Sequence, residues 1–138
     1  MSLKKFAEHV ARKMGKLEKE EEKLKYKNKP TDGYPSQLER AVHALLLWRE
    51  KAGEIRNIKR QASVDLHYWR WKVDFSFEDV ATGETIWCEA KGEETRDYLK
   101  NLKLWPDFGP GKLEIWKGTY QKPRLYKIIL GKGKHEVI

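Results

Sequence analysis

Only one of the 138 residues is cysteine, Cys88, and that scarcity excludes several classes of protein at once. A disulfide within the chain is impossible, and zinc sites built on several thiolates are ruled out. The four histidines, His9, His43, His67 and His135, are scattered without HExxH-like spacing, so the helix-borne zinc-protease pattern is missing too. No apolar run approaches the ~18 residues of a membrane span. The N-terminus has no signal-type apolar stretch, so the expected address is the cytoplasm of a cell, or of a cell infected by a virus. No internal repeat is present, and the one biased segment is a mixed Glu/Lys run at Glu18–Lys25.

Charge, by contrast, is abundant. Charged residues make up 36% of the chain, and 29 Lys and Arg against 21 Asp and Glu leave a net charge of +8. A basic balance suits a polyanionic partner, of which nucleic acid is the commonest; the plain alternative is a soluble protein that is simply basic. Hydrophobic residues make up 39%, enough for one core, and a chain of this length fits one domain without a covalent staple.

Hydrophobic spacing orders the chain. Over residues 3–26, Leu3, Phe6, Val10, Met14 and Leu17 recur at intervals of three and four and make one apolar stripe of a helix. That stripe can pack on the domain or on a second subunit. Residues 27–35 read as a linker because Pro and Gly interrupt any regular element. Residues 1–33 are therefore expected to form an amphipathic helix and linker, and residues 34–138 the main domain. A second helix starts at Ser36, with Leu38, Val42, Leu45 and Leu46 on its apolar face and Gly53 as its stop.

Strands are predicted next. Over 58–66, Ile58, Ala62, Val64 and Leu66 share a face. Over 71–78, Trp71, Val73, Phe75 and Phe77 alternate with Lys72, Asp74, Ser76 and Glu78. After a turn at Ala81-Thr82-Gly83, the strand 84–91 puts Ile86, Cys88 and Ala90 on one side and Trp87, Glu89 and Lys91 on the other. A helix over 95–105, ended by Pro106, and strands at 112–117 and 124–130 complete the order; the last five residues are expected to fray.

Chemistry concentrates in three of these residues. Side chains two apart on a strand share a face, so Glu89 and Lys91 are neighbours. Opposed residues of an antiparallel pair also share a face. A turn centred between Ala81 and Thr82 places Asp74 opposite Glu89; one centred between Thr82 and Gly83 places it opposite Lys91. Either register gathers two carboxylates and an ammonium group, although an odd turn length or a bulge would break the argument. Two carboxylates suit a hard divalent cation such as Mg²⁺, with the Ala90 carbonyl as a further ligand. Such a site supports phosphodiester hydrolysis, with Lys91 holding the attacking water or stabilising charge on the phosphate. The plain alternative is a cross-strand surface ion pair. Ser36 and Glu39 have the spacing of a capping box, which competes with a role for Glu39 near the metal; both hold if the helix start faces the site. Cys88 reads as a small buried hydrophobe.

In this setting the residues resemble the PD-(D/E)xK nuclease superfamily. Val73-Asp74 stands where the family has Pro-Asp, with valine in place of proline, and Glu89-Ala90-Lys91 matches the (D/E)xK element. The helix carrying Ser36-Gln37-Leu38-Glu39-Arg40 matches the family's N-terminal helix, whose glutamate often reaches the metal through water. The likeness covers about residues 34–117, roughly 60% of the chain. It implies an α/β fold with a core of helix, three strands, helix and strand, a mixed sheet flanked by helices, and here an added N-terminal helix. It implies a catalytic set of Asp74, Glu89, Lys91 and Glu39, with Mg²⁺ (or Mn²⁺) held by Asp74, Glu89, the Ala90 carbonyl and, through water, Glu39. Among small members, the functional analogy is to the Holliday junction resolvases of phage and archaea. That analogy implies cleavage of four-way DNA junctions by a homodimer, for which the stripe 3–17 and the last strands are candidate interfaces. The rival expectations are another nuclease of the superfamily, in restriction, repair or recombination, and a non-catalytic nucleic-acid-binding module. Candidate phosphate contacts are Arg40, Lys59, Arg60, Lys72, Arg96, Lys100 and Lys103, each of which, taken singly, reads more readily as a solvated charge. The aromatic cluster His67-Tyr68-Trp69-Arg70-Trp71 either joins the core or stacks at a branch point.

Overall fold

The computed structural model describes residues 2–12 and 36–132. Met14 and Leu17 of the predicted stripe, the Glu18–Lys25 run, the predicted linker and the last six residues lie outside them. A helical segment over residues 3–12 (α1) leads to α2 (Gln37–Lys51), β1 (Ile55–Asp65), β2 (Arg70–Asp79), β3 (Thr85–Ala90), α3 (Arg96–Phe108), β4 (Lys112–Gly118) and β5 (Pro123–Leu130). The fold is α/β: the described residues form three helices and one five-stranded mixed sheet in the order β1-β2-β3-β4-β5. Only β3 and β4 run parallel, because α3 carries the chain across between them. Among the described residues no helix is long and apolar enough to cross a membrane.

The helices cover both faces of the sheet. Leu38, Val42, Leu45 and Leu46 of α2 pack with Phe75, Phe77, Ile86, Cys88 and Ala90, and Ala7 and Val10 of α1 join the same cluster. Phe6 of α1 also meets Trp48 of α2 edge to face at 5.0 Å. Phe6 and Val10 of the N-terminal stripe are therefore spent on the chain's own core, while Leu3 stays exposed. On the other face, Tyr98 and Trp105 of α3 pack with Val64, Leu66, Val73, Leu113 and Ile115.

Local signals explain the helix starts. Ser36 is extended (φ −148°, ψ 160°) and its hydroxyl accepts from the Glu39 amide at 3.1 Å. Thr95 caps α3 in the same way, accepting from the Tyr98 amide at 3.2 Å. The expected stop of α3 at Pro106 is corrected: the helix runs on to Phe108. In the last turn the proline ring forfeits a single amide. The carbonyls there find other donors, Trp105 from Gly109 at 2.7 Å and Pro106 from Lys132 at 3.2 Å.

The β2–β3 pairing matches Phe75 with Cys88 and Phe77 with Ile86. The turn is thus centred between Ala81 and Thr82, the register that sets Asp74 opposite Glu89. Two predicted faces need correction. Trp71 and Val73 pack with the α3-side cluster, whereas Phe75 and Phe77 belong to the α2-side cluster. On β1, Ile58 packs on the α2 side while Val64 and Leu66 pack on the α3 side. A regular strand keeps every second residue on one face, so both strands change face partway along. The irregularities lie in β1, where Asn57 and Gln61 have φ of 55° and 53° and the register shifts between Arg56 and Lys59. Gln61 falls between Arg60, paired with Phe75, and Ala62, paired with Val73, which puts it across from Asp74 at the switch.

Candidate active site

Three carboxylates from three elements meet at this switch. Asp74 lies within β2, Glu89 near the end of β3, and Glu39 in the first turn of α2. They are 8%, 4% and 2% exposed, although acids are almost never buried without partners. The Asp74 amide donates to Glu89 Oε1 at 3.1 Å, and the Ala90 amide donates to Asp74 Oδ2 at 2.9 Å. These two bonds take over where the β2–β3 ladder ends. The Glu39 carboxyl lies close enough to Asp74 for the two to interact electrostatically, and among the described residues its Oε2 has no hydrogen-bond partner. The serine half of the capping box forms, and the glutamate carboxyl is turned into the acid cluster.

Two cations face the acids. Arg60 of β1 brings a guanidinium nitrogen to 4.0 Å from Glu39 Oε2. The Lys91 ammonium lies 5.6 Å from the centre of the Tyr98 ring and acts electrostatically on all three carboxylates. Burial nevertheless dominates. Desolvation and the neighbouring Asp74 charge push Glu39 up to about 7. Desolvation and Asp74 likewise push Glu89 up to about 8. Asp74 is raised by burial, against the Ala90 amide, Glu39, Lys91 and Arg60, which favour its charged form.

A divalent cation fits this donor set. Three buried acids share too little positive charge to ionise together, and one buried oxygen of Glu39 lacks any donor; hard cations take carboxylate oxygens. Among the described residues no three His, Cys, Asp or Glu side chains are already arranged as a ligand group. Asp74 Oδ2 and Glu89 Oε1 accept from backbone amides. The Ala90 carbonyl, the expected further ligand, lies between Glu89 and Lys91 at the end of β3.

The structure thus gathers Asp74, Glu89, Glu39 and Lys91, as expected, and adds Arg60, expected only as a phosphate contact. The other predicted contacts scatter. Arg96, Lys100 and Lys103 line one side of α3 together with Leu99. Lys59 and Lys72 are exposed on β1 and β2, and Arg40 is half-buried on α2. Cys88 is fully buried, and desolvation holds its thiol protonated. Of the aromatic cluster, Trp71 packs edge-on to Trp105 at 6.1 Å, and His67 stacks on Phe108 at 4.8 Å. Arg70 of the same cluster donates to Ser63 Oγ at 2.9 Å, and one residue beside the site, Asn101, buried in α3, carried no sequence signal. No protein-family model matches this chain, and no curated protein or solved structure matches it significantly.

Proposed function

We propose that the chain is a divalent-metal-dependent DNA endonuclease of the PD-(D/E)xK kind. Its substrate is branched DNA, four-way junctions above all, and its working form is a homodimer. The observation that carries the reading is the buried cluster of Glu39, Asp74 and Glu89 with Lys91 alongside. The order α2-β1-β2-β3-α3-β4 beneath it agrees with that family's core, and the net charge of +8 suits a polyanionic substrate.

Asp74, Glu89, the Ala90 carbonyl and Glu39 would hold Mg²⁺ or Mn²⁺. When bound, such an ion neutralises the acids, polarises the scissile phosphate and lowers the pKa of the attacking water. Lys91, steadied over the Tyr98 ring, orients that water or meets the charge that builds on the phosphate. Hydrolysis joins the water oxygen to phosphorus and breaks the bond from phosphorus to one sugar oxygen, which takes up the proton. Arg96, Lys100 and Lys103 form a basic row on α3 for backbone phosphates. Resolving a junction takes two symmetric cuts, which a two-fold dimer supplies.

The test is cleavage of a labelled four-way junction beside a linear duplex of the same arms, with Mg²⁺, with EDTA, and with Asp74→Asn. Paired nicks on the junction alone, lost with EDTA and in the variant, are the expected result. Cleavage of both substrates removes the junction preference, and binding without cleavage in any divalent metal removes the nuclease.

A further inference from the structure

A cleft of about 510 Å³ opens beside Glu89 and Lys91, between the start of β2 and the first turns of α3. Trp69, Arg70, Tyr98, Lys100 and Asn101 are among its lining residues, and Asp97 adds a negative charge at its edge. Trp69 stands out. It is 41% exposed, yet its indole N–H donates to Asn101 Oδ1 at 2.6 Å. Asn101 is itself only 6% exposed, so a residue buried in α3 anchors the indole of a partly exposed side chain. Of the neighbouring aromatics, His67 stacks on Phe108 and Trp71 packs on Trp105, while the exposed Tyr68 ring lies tilted 6.4 Å from Trp69. The Tyr98 hydroxyl, also in the wall, has no hydrogen-bond partner among the described residues.

An indole face held still beside basic side chains is the chemistry that receives a nucleobase, with Arg70 and Lys100 placed for flanking phosphates. A base inside a duplex already has both faces stacked, and extruding it costs a few kcal/mol. We infer that Trp69, clamped by Asn101, is a stacking platform for one unpaired base of DNA next to the scissile phosphate. The substrate class is therefore DNA in which a nucleotide at the cut is unpaired or is released from its pair, as where a junction opens at its branch point or in a single-stranded segment. The site assignment rests on the nuclease reading; the stacking itself does not.

The test is binding of the full chain to a short labelled oligothymidylate and to a blunt duplex, both in EDTA so that no cleavage intervenes. Trp69→Ala is expected to weaken oligothymidylate binding roughly 5- to 150-fold and to leave duplex binding near wild type. Trp69→Phe, which keeps a ring, is expected to retain most of the affinity. Tyr126→Ala, which removes an exposed aromatic from β5, is expected to change neither. Equal losses on both DNAs, or wild-type oligothymidylate binding by a folded Trp69→Ala, overturn the inference. If Trp69→Ala does not fold, the wild-type chain still decides. A strand carrying 2-aminopurine is quenched on binding if its base stacks, and unchanged fluorescence with binding intact overturns the inference. Because every arm is read without metal, failure here leaves the cleavage result for Asp74→Asn standing, and failure of cleavage leaves the stacking result standing.

Discussion

Asp74 and Glu89 are each held by the other's strand: the Asp74 amide donates to Glu89 Oε1 at 3.1 Å, while Asp74 Oδ2 accepts from the Ala90 amide at 2.9 Å. The two side chains replace backbone partners one step beyond the last ladder pair, Phe75 with Cys88. Their positions are set before any ligand arrives, so little reorganisation is left for the moment of reaction. Their charges are the unsettled part, since Glu39 and Arg60 crowd the same space.

Asp74→Asn separates position from charge. The side-chain carbonyl of asparagine can still accept from the Ala90 amide, while the charge that raises Glu39 and Glu89 disappears. The expected thermal midpoint in EDTA is equal to or above wild type. Cleavage is expected to fall by roughly 10²- to 10³-fold or more, the scale on which single electrostatic groups act at such sites. A midpoint several degrees lower would mean that Asp74 is there for the fold.

The pH dependence of stability follows from the same burial. Glu39 and Glu89 rise in the folded chain from 4.5 to about 7 and about 8. Between these limits the folded state binds more protons than the unfolded one, so stability falls as pH rises. Their contribution is full below about pH 4.5 and is lost as pH climbs through about 7 and 8. Melting curves in EDTA should therefore show a declining contribution across that window. Mg²⁺ binds the deprotonated acids, so its stabilisation should grow with pH, by the mass-action amount for its dissociation constant. A Mg²⁺ effect that is absent, or larger at pH 5 than at pH 8, would remove the metal from the site.

Lys91 opposes that rise, because its ammonium favours the charged form of all three acids. Lys91→Ala should slow cleavage by roughly 10²- to 10³-fold. It should also move the acidic limb of the pH–rate profile to higher pH, since the carboxylates lose a neighbouring cation. Lys91→Arg keeps the charge and should hold the limb in place while recovering part of the rate. A rate loss with an unmoved limb in the alanine variant would confine Lys91 to contact with substrate.

The element order was readable because each piece depends on near neighbours. Leu38, Val42, Leu45 and Leu46 spell an α2 face at helical spacing, and the Ala81–Gly83 turn narrows the partner of Asp74 to Glu89 or Lys91, of which the strand pairing selects Glu89. What escaped reading depends on distant partners. Glu39 is a partial case: the resemblance put it near the metal, but its own spacing is that of a capping box, and only the packing of α2 on the sheet turns its carboxyl toward Asp74. Trp69 and Asn101 are 32 residues apart, and no local pattern ties them together. The face switch of β1 and β2 is hidden for a different reason. Glutamine has no special liking for positive φ, so nothing in the residue type at Gln61 announces it.

That switch can be tested through Gln61 alone. Its φ of 53° lies across from Asp74, in the left-handed region that costs a residue with a Cβ roughly 1–2 kcal/mol. Valine is worse there, because a branched Cβ crowds the backbone further. Gln61→Val should therefore lower stability by about 1–2 kcal/mol or force β1 back toward regular pairing. Gln61→Gly relieves the strain but adds freedom to the unfolded chain, and the two effects largely cancel. Denaturant unfolding of both variants measures the difference. If the bend at Gln61 positions Asp74, the glycine variant keeps full cleavage and the valine variant loses activity beyond what its unfolded fraction explains. Equal stability in the two would mean that β1 does not need the left-handed residue, and that the Asp74 position is set from β3 alone.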